Sequence, residues 1–201
     1  MQSTMPRPLI LGSTSIYRRE LLQRLQLPFS VVAPQVDESP LSNELPLALA
    51  ARLALAKAQA VAKAFPDSVV IGSDQVADLH GVPLGKPGDH DNAVRQLRQM
   101  RGNTVVFHTA VAVVCSSTAF VAEAVVPVRV TFRNLSDAEI DYYLHTERPY
   151  DCAGSAKSEG LGIALLERID NTDPTALIGL PLIQTSAMLR AAGVHVLRPP
   201  T

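Results

Sequence analysis

Apolar positions along the chain fall into short blocks whose spacing changes repeatedly. Leu9–Leu11 form a compact run that ends at Gly12 and a hydroxyl cluster, Ser13-Thr14-Ser15. Beyond it, Leu21, Leu22 and Leu25 recur at helical spacing. This predicts a strand over Pro8–Gly12 and a helix from about Ile16 to Leu25. Phe29–Ala33 reads as a second strand. After the polar loop PQVDESPLSNE, the stripe Ala48, Ala51, Leu55, Ala58 and Ala62 predicts a long helix. Ser42 or Asn43 is its expected cap, Phe65 its approximate end, and its small residues predict close packing against a sheet. Val69–Gly72 predicts a short buried strand with Ser73-Asp74-Gln75 at its carboxyl end. Residues 76–84 predict a small hairpin turning at His80-Gly81, and a helix is expected over Asp89–Met100. Two long β-branched runs, Thr104–Val114 and Phe120–Phe132, are joined by CSST and predict an antiparallel hairpin. Ser136 with Glu139 three residues on forms a capping box for a further helix. Residues 150–160 are rich in small polar residues and read as irregular, and Pro181–Ala192 predicts a last helix.

Helices and strands alternate at first and strands dominate the middle, which predicts an α/β chain with a mixed sheet and flanking helices. The chain has 201 residues, enough for a single domain with a sizeable core. With 47% hydrophobic residues it is expected to be globular. A formal net charge of −1 without a charged block argues against a nucleic acid polymer or a membrane surface as partner. Local cations for a small anionic substrate remain. Two cysteines, Cys115 and Cys152, make neither a disulfide framework nor a zinc motif and read as buried, reduced thiols of a cytoplasmic protein. The N-terminal apolar run is too short for a signal peptide, and Arg52 and Lys57 interrupt the richest apolar stretch. Residues 1–7 and 197–201 are expected to be flexible ends.

Chemistry gathers in four places. The Ser13–Arg19 turn opens a helix, so its N–H groups, its hydroxyls and Arg18 or Arg19 favour an anion, phosphate above all. Neither GxxxxGK[ST] nor GxGxxG occurs. Ser73-Asp74-Gln75 is followed by Gly85-Lys86-Pro87, where the proline holds the lysine in a rigid turn. The third place is Gly154-Ser155-Ala156-Lys157-Ser158-Glu159-Gly160, and the fourth is the loop pair Asp37 and Glu38. A phosphoanhydride hydrolase needs oxygen ligands for a hard divalent metal and cations for the phosphates. Glu38 and Asp74 are the candidate ligands, and Arg18, Lys57, Lys86 and Lys157 the candidate cations. His80, His90, His108, His145 and His195 are scattered and read as ordinary surface or core residues.

The ordered set LILGSTSIYRRELL, VDES, the lysine of ALAKA, IGSDQV, GKP and CAGSAKSEG resembles the Maf family of nucleoside triphosphate pyrophosphatases, from about Leu9 to Gly193. SDQ and KSEG are most like its 7-methyl-GTP subgroup. The resemblance implies a mixed α/β fold with two lobes around a central cleft, forming one domain over residues 1–201. It implies cleavage of a nucleoside triphosphate between the α and β phosphates, dependent on magnesium or manganese, in a family where homodimers are common. It places the proton acceptor on Asp74, a second acid on Glu38, and phosphate-binding cations on Arg18, Lys57 and Lys86. Base choice falls on Tyr17, Gln75 and Glu159. Ile16, Gly12, Tyr17 and Ala156 depart from the residues common in the family (proline, alanine, tryptophan and phenylalanine respectively). Two alternatives stand beside this reading: a dTTP/UTP or other non-standard nucleotide pyrophosphatase, and a nucleotide-binding regulator of cell division without turnover.

Overall fold

The computed structural model describes residues 7–197. Of the ends expected to be flexible, only Arg7 and Leu197 fall inside that range. Among the described residues, seven strands form one mixed sheet flanked by five α-helices. β1 (Leu9–Gly12) lies between β2 (Ser30–Val32) and β3 (Val69–Leu79), parallel to both. The sheet continues antiparallel through β5 (Thr104–Cys115), β6 (Phe120–Phe132) and β7 (Leu166–Asp170), in the order β2-β1-β3-β5-β6-β7. β4 (Val82–Leu84) pairs with the far end of β3. The expected turn joins them: His80 and Gly81 both take positive φ, as a two-residue hairpin turn requires.

Each side of the sheet has its own cover. On one face, Ile10, Val70, Ala110 and Ala112 pack under Leu53, Ala54 and Ala58 of α2 (Pro46–Ala64). On the other, Leu11, Ile71 and Val111 meet Leu21 and Leu22 of α1 (Ile16–Gln23) and Met188 and Leu189 of α5 (Leu182–Ala191). At the hairpin end, Phe107, Val128 and Phe132 pack with Leu97 and Met100 of α3 (His90–Met100) and with Ile140, Tyr143 and Leu144 of α4 (Asp137–Glu147). Asp89 caps α3, and the Ser136/Glu139 capping box closes on α4 as the sequence predicts.

Three elements differ from expectation. α2 starts at Pro46 and not behind Ser42 or Asn43, and Leu45 at its cap makes no side-chain bond. A proline restrains the residue before it from helical geometry but suits the first helical position, so Pro46 sets the start. β3 does not end at Gly72; it runs for 11 residues through Asp74. β7 was not anticipated from the sequence.

Gly72 is a contact point and not a turn. A Cβ there would lie 2.5 Å from the Ala58 backbone nitrogen and closer still to the Ala54 carbonyl, so its absence lets α2 rest directly on β3. Backbone atoms cannot swing aside. Gly72→Ala is therefore expected to cost about 1–3 kcal/mol or more, read as a lowered urea midpoint. An unchanged midpoint would mean that α2 does not lie this close in solution.

Candidate functional site

The β1–α1 turn is built by short polar side chains. Ser15 is the N-cap of α1, its Oγ accepting from Arg18 N at 3.4 Å. Ser13, buried, accepts from Ser15 N at 3.1 Å and from Arg18 Nη1 at 3.5 Å. Arg18 Nε donates to the Gly179 carbonyl at 2.9 Å. Burial lowers the Arg18 pKa, and the carboxylates of Asp74 and Glu38 oppose that shift. A guanidinium keeps its charge under such a pull.

Alternation along β3 divides its polar residues between the two faces. Asp74 shares the face of Gly72, against α2, and there meets Lys57. Lys57 Nζ donates to Asp74 Oδ1 at 2.7 Å and lies 2.8 Å from Glu38 Oε1. Lys57 and Asp74 are buried, whereas the Glu38 side chain, on the loop before α2, is 60% exposed. One ammonium thus sits between two carboxylates. Ser73 and Gln75 point the other way. Ser73 Oγ lies within hydrogen-bonding distance of the Ala110 and Gly179 carbonyls, at 2.7 and 2.9 Å. Gln75 Nε2 lies 2.9 Å from Thr109 Oγ1, 3.1 Å from the Ala176 carbonyl and 2.9 Å from the Leu177 carbonyl. The Gln75 amide nitrogen is therefore occupied in holding the 176–179 segment. Gly179, at φ 124°, takes a conformation that side chains disfavour.

Tyr17 and the 150–160 segment face each other across the opening. Tyr17 donates to Asp151 Oδ2 at 3.4 Å, and burial, then the neighbouring Cys152, raises its pKa. Lys157 Nζ stands 5.8 Å from the Tyr17 ring centroid, within cation–π range, and pairs with Glu147 Oε1 at 2.9 Å. The Glu147 carboxylate also accepts from Leu161 N at 2.8 Å, which pins this segment to α4. Glu159 is exposed, and its carboxylate receives only a long 3.4 Å bond from Ser158 Oγ among the described residues. Both cysteines are free; Cys115 is buried as expected, but Cys152 is half-buried beside Tyr17. Burial and the Asp151 carboxylate push the Cys152 thiol up to about 12. At pH 8 it should hold on the order of 10³-fold less thiolate than an ordinary cysteine. Alkylation by iodoacetamide, followed by mass spectrometry, should be correspondingly slow in the folded protein. Modification at the rate of a free thiol would contradict this environment.

These groups share one cleft of about 610 Å³. Ser13, Tyr17, Arg18, Glu38, Lys57, Asp74, Gln75, Lys86 and Glu159 all line it. Lys86 is exposed there, while Lys157 is not among the lining residues and is held at the rim by Glu147. The sequence reading missed the main-chain carbonyls of Ala176, Leu177 and Gly179. It also missed the buried Asp173, whose carboxylate accepts from Thr175 Oγ1 at 2.8 Å and Ile183 N at 2.7 Å and so shapes that segment. The run Asn171-Thr172-Asp173-Pro174-Thr175 was the available signal for a structured loop.

A mixed α/β sheet carrying paired acids and several cations in one cleft defines a protein built for a small polyanion. The chain belongs to the family of Maf-like proteins, whose model matches residues 8–192. It is 72% identical over 188 residues to the 7-methyl-GTP pyrophosphatase of Polaromonas sp., covering 94% of this chain and 86% of that protein. It is 64% identical to the 7-methyl-GTP pyrophosphatase of Albidiferax ferrireducens, covering 98% and 99%. The protein of the same name from Methylobacillus flagellatus is 58% identical, over 94% of this chain and 99% of its own length. Among the described residues no helix is long and apolar enough to cross a membrane.

Proposed function

We infer that this protein hydrolyses 7-methyl-GTP to 7-methyl-GMP and pyrophosphate. The observation that carries the chemistry is the convergence of Glu38, Lys57 and Asp74 within 2.8 Å contacts on the cleft that Arg18 and Lys86 also line. The names of the close relatives support the substrate. On this reading the chain is one Maf-like domain, its two lobes being the parallel and hairpin ends of the sheet.

The cleft suits a hard divalent cation such as magnesium or manganese. Glu38 and Asp74 offer oxygen donors, and the Lys57 ammonium between them marks a point that both carboxylates already favour for positive charge. When bound, the ion neutralises phosphate charge. The remaining work falls to the protein. Asp74 Oδ1 is held by Lys57, and the other oxygen orients a water and accepts its proton. The water oxygen bonds to phosphorus as the α–β anhydride bond breaks. Arg18 and Lys86 receive the charge that grows on the departing pyrophosphate. Ser13 holds Arg18 in place, and Lys157 holds the 150–160 segment over Tyr17.

Base reading rests on Tyr17 and Glu159. Methylation at N7 makes guanine a cation, which an aromatic face attracts by about 0.5–2 kcal/mol. A free carboxylate at Glu159 accepts from guanine N1–H and N2–H₂ together. Uracil and thymine present one N–H between two carbonyl oxygens, which a carboxylate repels. Glu159→Gln should therefore lower kcat/KM for 7-methyl-GTP about tenfold, the worth of a hydrogen bond to a charged group, and that for UTP less. Equal losses would remove Glu159 from base reading. Gln75 enters this reading through the 176–179 segment it holds.

The deciding experiment is product analysis with magnesium or manganese across 7-methyl-GTP, GTP, UTP, dTTP and ITP. Pyrophosphate with 7-methyl-GMP as the dominant pair is the expected result. Pyrophosphate chiefly from UTP or dTTP would keep the reaction and discard the substrate. Tight nucleotide binding without product would leave a binding protein.

A further inference from the structure

Outside the cleft, α3 and α4 bring together three metal-ligating side chains that lie far apart in sequence. His90 is the first residue of α3, and Asp141 and His145 sit one turn apart on α4. Asp141 Oδ1 is 3.9 Å from His90 Nε2 and 3.3 Å from His145 Nδ1. One ligand atom from each residue falls within 4.8 Å of the other two. The two imidazole rings stand 4.9 Å apart, tilted by 58°. None of the three lines the cleft that holds Glu38 and Asp74.

We propose that His90, Asp141 and His145 form a second metal site, for a borderline divalent ion such as zinc or cobalt(II), which ties α3 to α4. The donor set is two imidazoles and one carboxylate, which suits those ions and not magnesium or calcium. Bonds of about 2.0–2.1 Å in tetrahedral geometry place ligand atoms roughly 3.3 Å apart. Asp141 Oδ1 and His145 Nδ1 stand at that spacing, with Nδ1 still bonded to the helix carbonyl, and all three ligand atoms lie within 4.8 Å of one another. The His90 contact must close by roughly half an ångström, which partly exposed side chains allow.

A supporting shell points the same way. Tyr150 OH lies 3.1 Å from His90 Nδ1 and 3.4 Å from the Leu144 carbonyl. A hydroxyl that donates to the carbonyl accepts from Nδ1–H. In that arrangement Nε2 carries the lone pair on the Asp141 side, as metal-binding histidines require. His145 Nδ1 donates to the Asp141 carbonyl at 2.9 Å, which keeps the ring on the Asp141 side; ligation through Nδ1 requires the exposed ring to turn, giving up this bond and its proton to the ion. Water or solute takes the fourth position, since the Asp141 and His145 side chains are 64% and 65% exposed.

The site connects to the cleft through Tyr150, whose carbonyl accepts from Gly88 N at 3.0 Å. An ion here steadies the two segments that lead to Lys86 and to Asp151. The test reads binding alone and needs no turnover. Full-length protein, stripped of metals and then supplied with excess magnesium to fill oxygen sites, is titrated with cobalt(II). The expected result is one saturable equivalent with the visible absorption of nitrogen-ligated cobalt, and a raised Tm. His90→Ala and His145→Asn should each weaken binding at least about tenfold, and Tyr150→Phe by about tenfold. Asp74→Asn should leave it intact. Circular dichroism confirms that the surface variants fold, and His90→Asn replaces His90→Ala if α3 is disturbed. No saturable absorption, or absorption that survives both histidine changes, would overturn the site. Absorption lost only in Asp74→Asn would place the ion in the cleft and overturn it equally.

Discussion

Asp74→Asn is expected to lower 7-methyl-GTP turnover by about 10²–10⁴-fold while the protein still folds. The substitution keeps shape and volume. Its amide oxygen can still accept from Lys57, which in the wild-type protein donates to Oδ1 at 2.7 Å. Glu38 still holds the other side of the ammonium at 2.8 Å. What is lost is a group that can take a proton from water at the cleft floor, together with one unit of negative charge. Weakening a charge-assisted bond costs about 1–2 kcal/mol of stability, too little to unfold a domain of this size. Pyrophosphate release, measured beside the far-UV circular dichroism of the same sample, separates the two effects. Activity within about threefold of wild type would take Asp74 out of the reaction. Glu38→Gln would then be the variant to measure, because Glu38 is the other carboxylate on the same ammonium.

How legible this cleft is in the sequence varies residue by residue. Signals written in side chains were readable: Ser136 with Glu139, Asp89 before α3, His80-Gly81 between β3 and β4, and the long hairpin of β5 and β6. Close packing of α2 on the sheet was legible but its face was not: of the stripe Ala48, Ala51, Leu55, Ala58 and Ala62 only Ala58 and Ala62 are buried, and Leu49, Ala50, Leu53, Ala54 and Val61 complete the contact. Gly72-Ser73-Asp74 misled because a glycine followed by two small polar residues looks like the end of a strand. Here Gly72 admits α2, and β3 continues because it exchanges partners. It pairs with β1 up to Gly72 and with β4 from Ala77, while β5 supports Val70–Asp78 throughout. Asp74 therefore stands in the middle of a strand, on the helix-facing side, and Ser73 and Gln75 stand on the opposite side. The 176–179 wall was silent because it acts through carbonyls, which every residue carries. Lys157 had the right residue type and motif, but its Glu147 partner is ten residues back on α4. His90 and His145 meet only because α3 packs on α4, and no spacing rule spans that distance.

Lys57→Met is expected to destabilise the protein by about 3 kcal/mol and to make its stability depend on a divalent cation. Methionine fills the space of the lysine stem and lacks the ammonium. The two carboxylate oxygens now lie within 3 Å of one nitrogen, hence within about 6 Å of each other, a range in which like charges repel appreciably. Asp74, with its side chain only 10% exposed, would lose its hydrogen-bond donor and its counter-charge together. Glu38 is well solvated and can turn outward, which holds the cost near the lower end for a broken buried pair. A divalent cation binding between the two acids should restore much of the loss, because ligands that bind only the folded state stabilise it. Urea unfolding with and without magnesium reads this directly: magnesium should raise the midpoint of Lys57→Met more than that of wild type. Equal responses would mean that removing the ammonium opens no cation site between Glu38 and Asp74. A variant as stable as wild type without magnesium would mean that Lys57 does not neutralise Asp74. Turnover should fall in either case on the mechanism proposed above, because the cation that holds Asp74 Oδ1 is gone.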